Sequence, residues 1–141
     1  MMNAYSGMLT RSYQQNAVDT GSPLRLVIML YDGAIRFFRL AEKARSEGNT
    51  ELLRVNIIRA ERILFELMAS LNIEEGGEIA AGLFRLYQFI VDQCSQVHEE
   101  QGEEALANIL KILSGLRASW VELEKSAQEV EVERQPVNIS G

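Results

Sequence analysis

The 141-residue sequence contains one cysteine, one histidine and two prolines. A single cysteine, Cys94, excludes an intramolecular disulfide and a cysteine-based zinc cluster within one chain. With His98 as the one histidine, a di-iron site of the ferritin type is excluded as well, because that site needs Glu-x-x-His motifs on two helices. These absences predict a chain that folds in a reducing compartment without disulfides, metals or cofactors.

An excess of positive charge and a long apolar run are also lacking. The 14 Lys and Arg residues stand against 20 Asp and Glu residues. Nucleic-acid affinity depends on clustered cations, so we expect no nucleic-acid partner. No segment approaches the roughly 20 apolar residues that span a bilayer, and the N-terminus has no apolar core of a secretory signal. We expect a soluble, cytoplasmic protein that does not insert into membranes.

No motif of a catalytic site is visible. Gly76 and Gly77 are not followed by the Lys and Ser or Thr of a phosphate-binding loop. His98 lies among glutamines and glutamates, as solvated residues do, and Cys94 lacks the cationic neighbours that lower a thiol pKa. We predict no catalytic residue and no metal ligand, so the chain is not expected to be an enzyme.

Helical periodicity is what the chain has in abundance. Ser22 and Pro23 are typical of a helix start, and they predict a first helix over residues 23–47. Apolar stripes predict a second helix that begins near residue 50, capped by Asn49 or Thr50. A third is predicted over 78–99, after a break at 74–77, and a fourth follows Gly102. The fourth stripe is the most regular: Leu106, Ile109, Leu113, Leu116, Trp120, Leu123 and Ala127.

Four helices with short connections predict an all-α fold, an antiparallel up-and-down four-helix bundle. We place the bundle at residues 22–128. Residues 1–21 are predicted to form an N-terminal arm or short cap helix, and residues 129–141 a disordered C-terminal tail, because neither segment carries a sustained apolar stripe.

The first two predicted helices have more apolar residues than one core stripe requires. Between Leu24 and Tyr31 only Arg25 is polar, so apolar side chains cover nearly the whole circumference. Contiguous apolar patches of this kind are rare on monomers. The surplus predicts a groove for an amphipathic partner segment or a homodimer seam, unless the loops, arm and tail cover it. Trp120 is predicted to lie in the core. The candidate partner-binding residues on these helices are Leu26, Met29, Leu30, Tyr31, Val55, Ile58 and Phe65.

Three segments of the chain resemble the flagellar export chaperone FliS family in their order and spacing. They are Tyr13-Gln14-Gln15-Asn16-Ala17-Val18, Thr20-Gly21-Ser22-Pro23 and Leu30-Tyr31-Asp32-Gly33-Ala34-Ile35-Arg36-Phe37. A fourth, Leu116-Arg117-Ala118-Ser119-Trp120, is similar to part of the family's last helix. The likeness covers residues 13–127.

The resemblance implies a cytoplasmic four-helix bundle that binds the disordered C-terminal segment of flagellin. The chaperone would block premature polymerisation and present flagellin to the type III export gate. It also implies that the arm lies over part of an apolar groove, and that Tyr13, Gln14, Gln15 and Asn16 take part in partner binding. Tyr13 would dock on the cytoplasmic domain of the export-gate protein FlhA. A different class of function, a self-associating structural or regulatory bundle with a homodimer seam, is the alternative.

Overall fold

The computed structural model describes residues 23–134, and four helices make up most of that part of the chain. The helices are α1 (Pro23–Ser46), α2 (Thr50–Ala69), α3 (Ile73–Cys94) and α4 (Gly102–Arg134). They confirm the all-α four-helix bundle. The predicted arm over residues 1–21 and the distal residues 135–141 of the predicted tail lie outside the described residues.

The helices pack in a closed ring. α1 contacts α2 and α4, and α3 contacts the same two helices from the opposite side. The α1–α2 pair is the tightest, because a Cβ atom at Gly33 would already lie 3.0 Å from Cδ1 of Ile63. The guanidinium of Arg59 also lies 5.9 Å from the ring centre of Phe37. The α3–α4 pair is packed least extensively.

The predicted stripes form the core. Each fully buried large aliphatic or aromatic side chain contributes about 1.5 to 3 kcal/mol of transfer free energy. Cys94 is buried among them. The largest fully buried side chains are Ile28, Tyr31 and Phe38 of α1, Leu64 and Leu67 of α2, Tyr87 and Ile90 of α3, and Leu106, Ile109 and Leu113 of α4.

The start of α3 differs from the prediction. The helix begins at Ile73 because the Asn72 side chain accepts a hydrogen bond from the Glu75 amide at 3.1 Å, which satisfies a free donor of the first turn. The predicted break over residues 74–77 is a kink inside the helix, at Gly77, where φ is 53° and ψ is −132°. By contrast, the start of α2 at Thr50, capped by Asn49, confirms the prediction.

Two other boundaries were predicted wrongly. α3 ends at Cys94 rather than near residue 99, and turns occupy residues 95–101. α4 continues to Arg134, so residues 129–134, predicted as the first part of the tail, are helical. The extension has a simple local cause: Glu and Arg are good helix formers, and the first helix-breaking residue after Gly115 is Pro136.

One end of the bundle, which we call the closed end, is held by hydrogen bonds between the last turn of α1 and the connection from α3 to α4. Arg45 donates from Nε to the Val97 carbonyl at 3.1 Å and from a terminal nitrogen to the Glu99 carbonyl at 3.0 Å. A Cβ atom at Gly102 would lie 2.2 Å from the same Val97 oxygen, so α4 can begin here only with glycine. Within residues 23–134, no helix combines the length and apolar character needed to cross a membrane.

Candidate partner-binding groove

An apolar groove of about 410 Å³ opens at the other end of the bundle. All four helices contribute to it: the start of α1, the turn from α2 into α3, and the side of α4. We call it the end groove. Its apolar lining consists of Pro23, Leu24, Val27, Leu67, Leu71, Ile79, Ala80, Leu83, Tyr87 and Trp120.

The kinked start of α3 shapes the rim of the end groove. Gly77 occupies a backbone region that side chains with a Cβ rarely adopt. A Cβ atom at Gly76 would lie 2.6 Å from the Cβ of Ala80, so the bend requires glycine there too. Past the kink, Ile79 is 79% exposed. An isoleucine this exposed on the rim of an apolar groove favours a binding surface.

Tyr87 and Trp120 form the floor of the end groove, and Tyr31 of α1 lies behind them. The hydroxyls of Tyr31 and Tyr87 are hydrogen-bonded at 2.5 Å, and the Tyr31 and Trp120 rings lie 6.3 Å apart. Burial raises the pKa of Tyr31, against the smaller opposing effect of its hydrogen bonds to Tyr87 and Trp120. The floor is therefore uncharged, and its hydrogen bonds fix the orientation of the rings.

Ion pairs hold α1 against α4 beside the groove. Arg25 pairs with Glu124, and Asp32 pairs with Arg117. Glu124 is 6% exposed, so losing Arg25 would leave a buried carboxylate short of a partner. The pairs keep the start of α1, which forms one wall of the groove, aligned with Trp120.

Most of the groove lining is apolar, and its polar members are Ser70, Asn72 and Glu75. It includes no histidine, cysteine, lysine or arginine. His98 is exposed at the closed end. Burial, with a smaller effect of the Glu61 charge, raises the pKa of the Cys94 thiol to about 12. In residues 23–134, no cluster of three or more histidine, cysteine or acidic side chains is arranged to hold a metal ion.

The predicted partner-binding residues of α1 do not line this groove. Tyr31, predicted as a partner-binding residue, is fully buried and supports the groove floor from behind. Leu30 is half-buried against the core, and Leu26 is also half-buried. Met29 is 51% exposed. The predicted residues Tyr13, Gln14, Gln15 and Asn16 lie outside the described residues.

The predicted residues of α2 form a separate surface. Val55 and Ile58 are half-buried, and Phe65 is 51% exposed. Ile58 and Phe65 are seven residues apart and so lie on one face of the helix. That face is roughly 140° or more around the axis from Ile63, which packs on α1. We call Val55, Ile58 and Phe65 the lateral α2 face.

None of the residues that line the end groove was predicted as a partner-binding residue. Leu71 and Leu83 are partly buried against the core, so their spacing does not distinguish them from core residues. Trp120 does pack against the core, but it also lines the groove. The available signal was Ile79, an isoleucine outside the core stripe of its helix that follows a pair of glycines.

The family model and the similar proteins described below all carry the name FliS. A family model described as "Flagellar protein FliS" matches residues 3–127. A "Flagellar secretion chaperone FliS" of Bacillus subtilis (strain 168) is 30% identical over 118 residues, which cover 84% of this chain and 87% of that protein. The proteins of the same name from Vibrio cholerae and Campylobacter jejuni are 29% and 30% identical, over 78% and 82% of this chain and 84% and 90% of their own lengths.

Proposed function

The chain belongs to the FliS family of flagellar secretion chaperones, and on that premise we propose that its end groove binds the disordered C-terminal segment of flagellin in the cytoplasm. Family membership supports a chaperone role in flagellar export. In our proposal, binding prevents premature polymerisation and delivers flagellin to the type III export gate. Such a chaperone acts by binding alone, so it needs no catalytic group.

The observation that carries this proposal is the apolar groove with Ile79 exposed on its rim. A disordered segment that folds on binding loses about 2 to 5 kcal/mol to ordering, and typically buries about 1,000 to 3,000 Å² in return. An apolar groove lined by all four helices supplies surface for that burial. The uncharged aromatic floor adds no charge that would have to be desolvated.

A groove of about 410 Å³ is too small to hold a whole flagellin segment. The area needed for coupled folding and binding extends well beyond one such pocket. We therefore propose that the segment continues from the end groove onto the lateral α2 face, where Phe65 is half exposed. Met29 and Leu26, near the start of α1, are proposed as further contacts.

The predicted N-terminal arm, residues 1–21, ends two residues before Pro23, which lies in the groove wall. We propose that the arm shields the end groove in the free protein and is displaced by flagellin. Tyr13, with Gln14, Gln15 and Asn16, would dock on the cytoplasmic domain of FlhA. A shield lowers the apparent affinity by the fraction of time it is closed. Deleting residues 1–16 should therefore tighten flagellin binding and weaken FlhA binding; unchanged or weaker flagellin binding would contradict a competing arm.

Titration calorimetry with a C-terminal flagellin peptide of about 40 residues tests the function. We expect one-to-one binding with a negative heat-capacity change, the mark of apolar burial. Ile79→Asp should weaken binding by about tenfold or more, which corresponds to about 1.4 kcal/mol.

Leu52→Asp is the matched control, because Leu52 is 43% exposed near the closed end, away from the groove. Equal losses of peptide affinity in Ile79→Asp and Leu52→Asp would contradict the end groove as the binding site. If no peptide binds and the mass of the protein rises with concentration, the alternative of a self-associating bundle with a homodimer seam is favoured.

A further inference from the structure

From the C-terminal part of α4 we propose a second docking surface, one that takes a basic amphipathic helix from a partner protein. Glu124, paired with Arg25 near the start of α1, is the last buried residue of α4. The described side chains that follow, at positions 125–133, are all exposed. Residues 125–134, which we call the overhang, extend roughly 15 Å along the axis of α4.

The core stripe of α4 continues into the overhang without a change of period. Within the bundle its members, such as Leu113, are buried. The same alternation of three and four residues then runs through Trp120, Leu123, Ala127 and Val130. Leu123 is 49% exposed and Val130 is 43% exposed. An apolar seam with this spacing is typical of coiled coils, in which a second helix inserts its own side chains between those of the seam.

The charged residues that flank the apolar seam indicate which kind of helix can bind there. With Leu106 at position a, the flanking e and g positions of the overhang are occupied by Ser126, Glu131 and Glu133. Lys125 falls at f, on the side away from the seam. Two overhangs paired with each other would bring glutamates together, which disfavours a second copy of this chain. A helix with Leu, Ile or Val at a and d and Lys or Arg at e and g fits both the apolar seam and its flanks.

This surface is distinct from the end groove, and the inference does not depend on flagellin binding. The groove ends at Trp120, whereas Val130 lies roughly 15 Å further along α4. A helical stretch of this length that packs against nothing is only marginally stable in water. A partner helix that covers the seam would therefore stabilise the overhang as well as bind to it.

The probe is a labelled synthetic peptide of three heptads with Leu at a and d and Lys at e and g. Its binding to the full-length chain is followed by fluorescence anisotropy. A second peptide keeps the same leucines but has Glu at e and g. We expect the lysine peptide to bind about tenfold or more tightly than the glutamate peptide at low salt, because like charges at e and g disfavour pairing.

Two matched pairs of variants separate the seam from general attraction to an acidic protein. Val130→Asp should weaken lysine-peptide binding by about tenfold, whereas Val132→Asp, on the opposite side of the overhang, should change it by less than about twofold. The double variant Glu131→Lys with Glu133→Lys should favour the glutamate peptide. Glu122→Lys with Glu129→Lys makes the same change in net charge away from the flanks, and should leave the preference unchanged.

Several results would overturn the proposal. One is equal loss of binding in Val130→Asp and Val132→Asp, since the seam would then play no part. Another is equal binding of the two peptides to the unaltered chain. A third is concentration-dependent dimerisation that Val130→Asp abolishes, because the seam would then be occupied by a second copy. Circular dichroism shows whether each variant keeps the bundle.

Discussion

At the closed end of the bundle a glycine brings two segments of backbone together, and at the groove end a pair of glycines interrupts a helix. Gly102 allows α4 to start against the Val97 carbonyl, and Arg45 supplies hydrogen bonds to the free carbonyls around it. Gly76 and Gly77 instead bend the start of α3 and leave Ile79 in water. The same residue type thus allows close packing at one end and exposes an apolar side chain on the groove rim at the other.

The largest effect is expected at the closed end. Gly102→Ala would place a Cβ atom 2.2 Å from the Val97 oxygen and 2.6 Å from Nε of Arg45. We expect a loss of about 3 kcal/mol in the free energy of unfolding, measured with urea, because overpacking against backbone has little room to relax. The affinity of the folded protein for the flagellin peptide should not change. A loss of affinity without a loss of stability would show that the two ends are coupled.

Alkaline pH tests how well the closed end excludes water from Cys94. The pKa of this thiol is raised to about 12 in the folded protein, whereas in the unfolded chain it is about 8.5. The folded state therefore binds more protons between these values, and its stability falls as pH rises. This one group should reduce the free energy of unfolding by up to about 2 kcal/mol between roughly pH 9 and pH 10.5.

Cys94→Ala is the control for that measurement. The variant is less stable at pH 7, but it lacks the thiol, so its stability should fall less steeply. The difference in the free energy of unfolding between the unaltered chain and Cys94→Ala should therefore become smaller as pH rises. A constant difference from pH 7 to about 10.5 would mean that water reaches Cys94 in the folded state.

At the groove end the expected change is smaller and concerns binding as well as stability. Gly77→Ala strains a residue with φ of 53°, which should cost about 1 to 2 kcal/mol of stability. It should also move Ile79 and weaken flagellin-peptide binding several-fold. Gly82→Ala is the control in the same helix, because no atom lies within 4 Å of its Cβ position. That variant should be slightly more stable than the unaltered chain; matching losses of affinity in both variants would argue against a role for the kink.

The smallest effect is expected on the lateral α2 face. Phe65→Ser removes a ring that is 51% exposed, so stability should change by less than about 0.5 kcal/mol. Flagellin-peptide affinity should fall by about threefold, less than for Ile79→Asp, if the segment enters the end groove first. A greater loss for Phe65→Ser would make the lateral face the main binding surface.

The number and type of the helices could be predicted because each one buries a single stripe. Leu106, Ile109 and Leu113 recur at a spacing that only helix packing explains, and Asn49 is a capping residue just before the start of α2. The glycine pair at 76 and 77 was ambiguous, since glycine can either end a helix or bend one. The cap at Asn72, which begins α3 before that pair, decided the outcome.

The candidate site was harder to predict, because it exists only where four helices meet. An excess of apolar residues near the start of α1 indicated a binding surface, but a count along one helix does not show which side its neighbours cover. Tyr31 was therefore included among the candidate partner-binding residues, although it packs against Tyr87 and Trp120 in the interior. Ile79 follows the glycine pair, but the sequence does not show that a kink at Gly77 leaves this side chain exposed.

Trp120 is the one tryptophan of the chain, and it lies in the floor of the end groove. Its ring is 6.3 Å from that of Tyr31, close enough for light absorbed by the tyrosine to be emitted by the tryptophan. Indole emission shifts to shorter wavelength when water leaves its surroundings. Filling of the end groove is thus visible in the intrinsic fluorescence of the unlabelled protein, and a helix bound near Val130 should alter that emission far less.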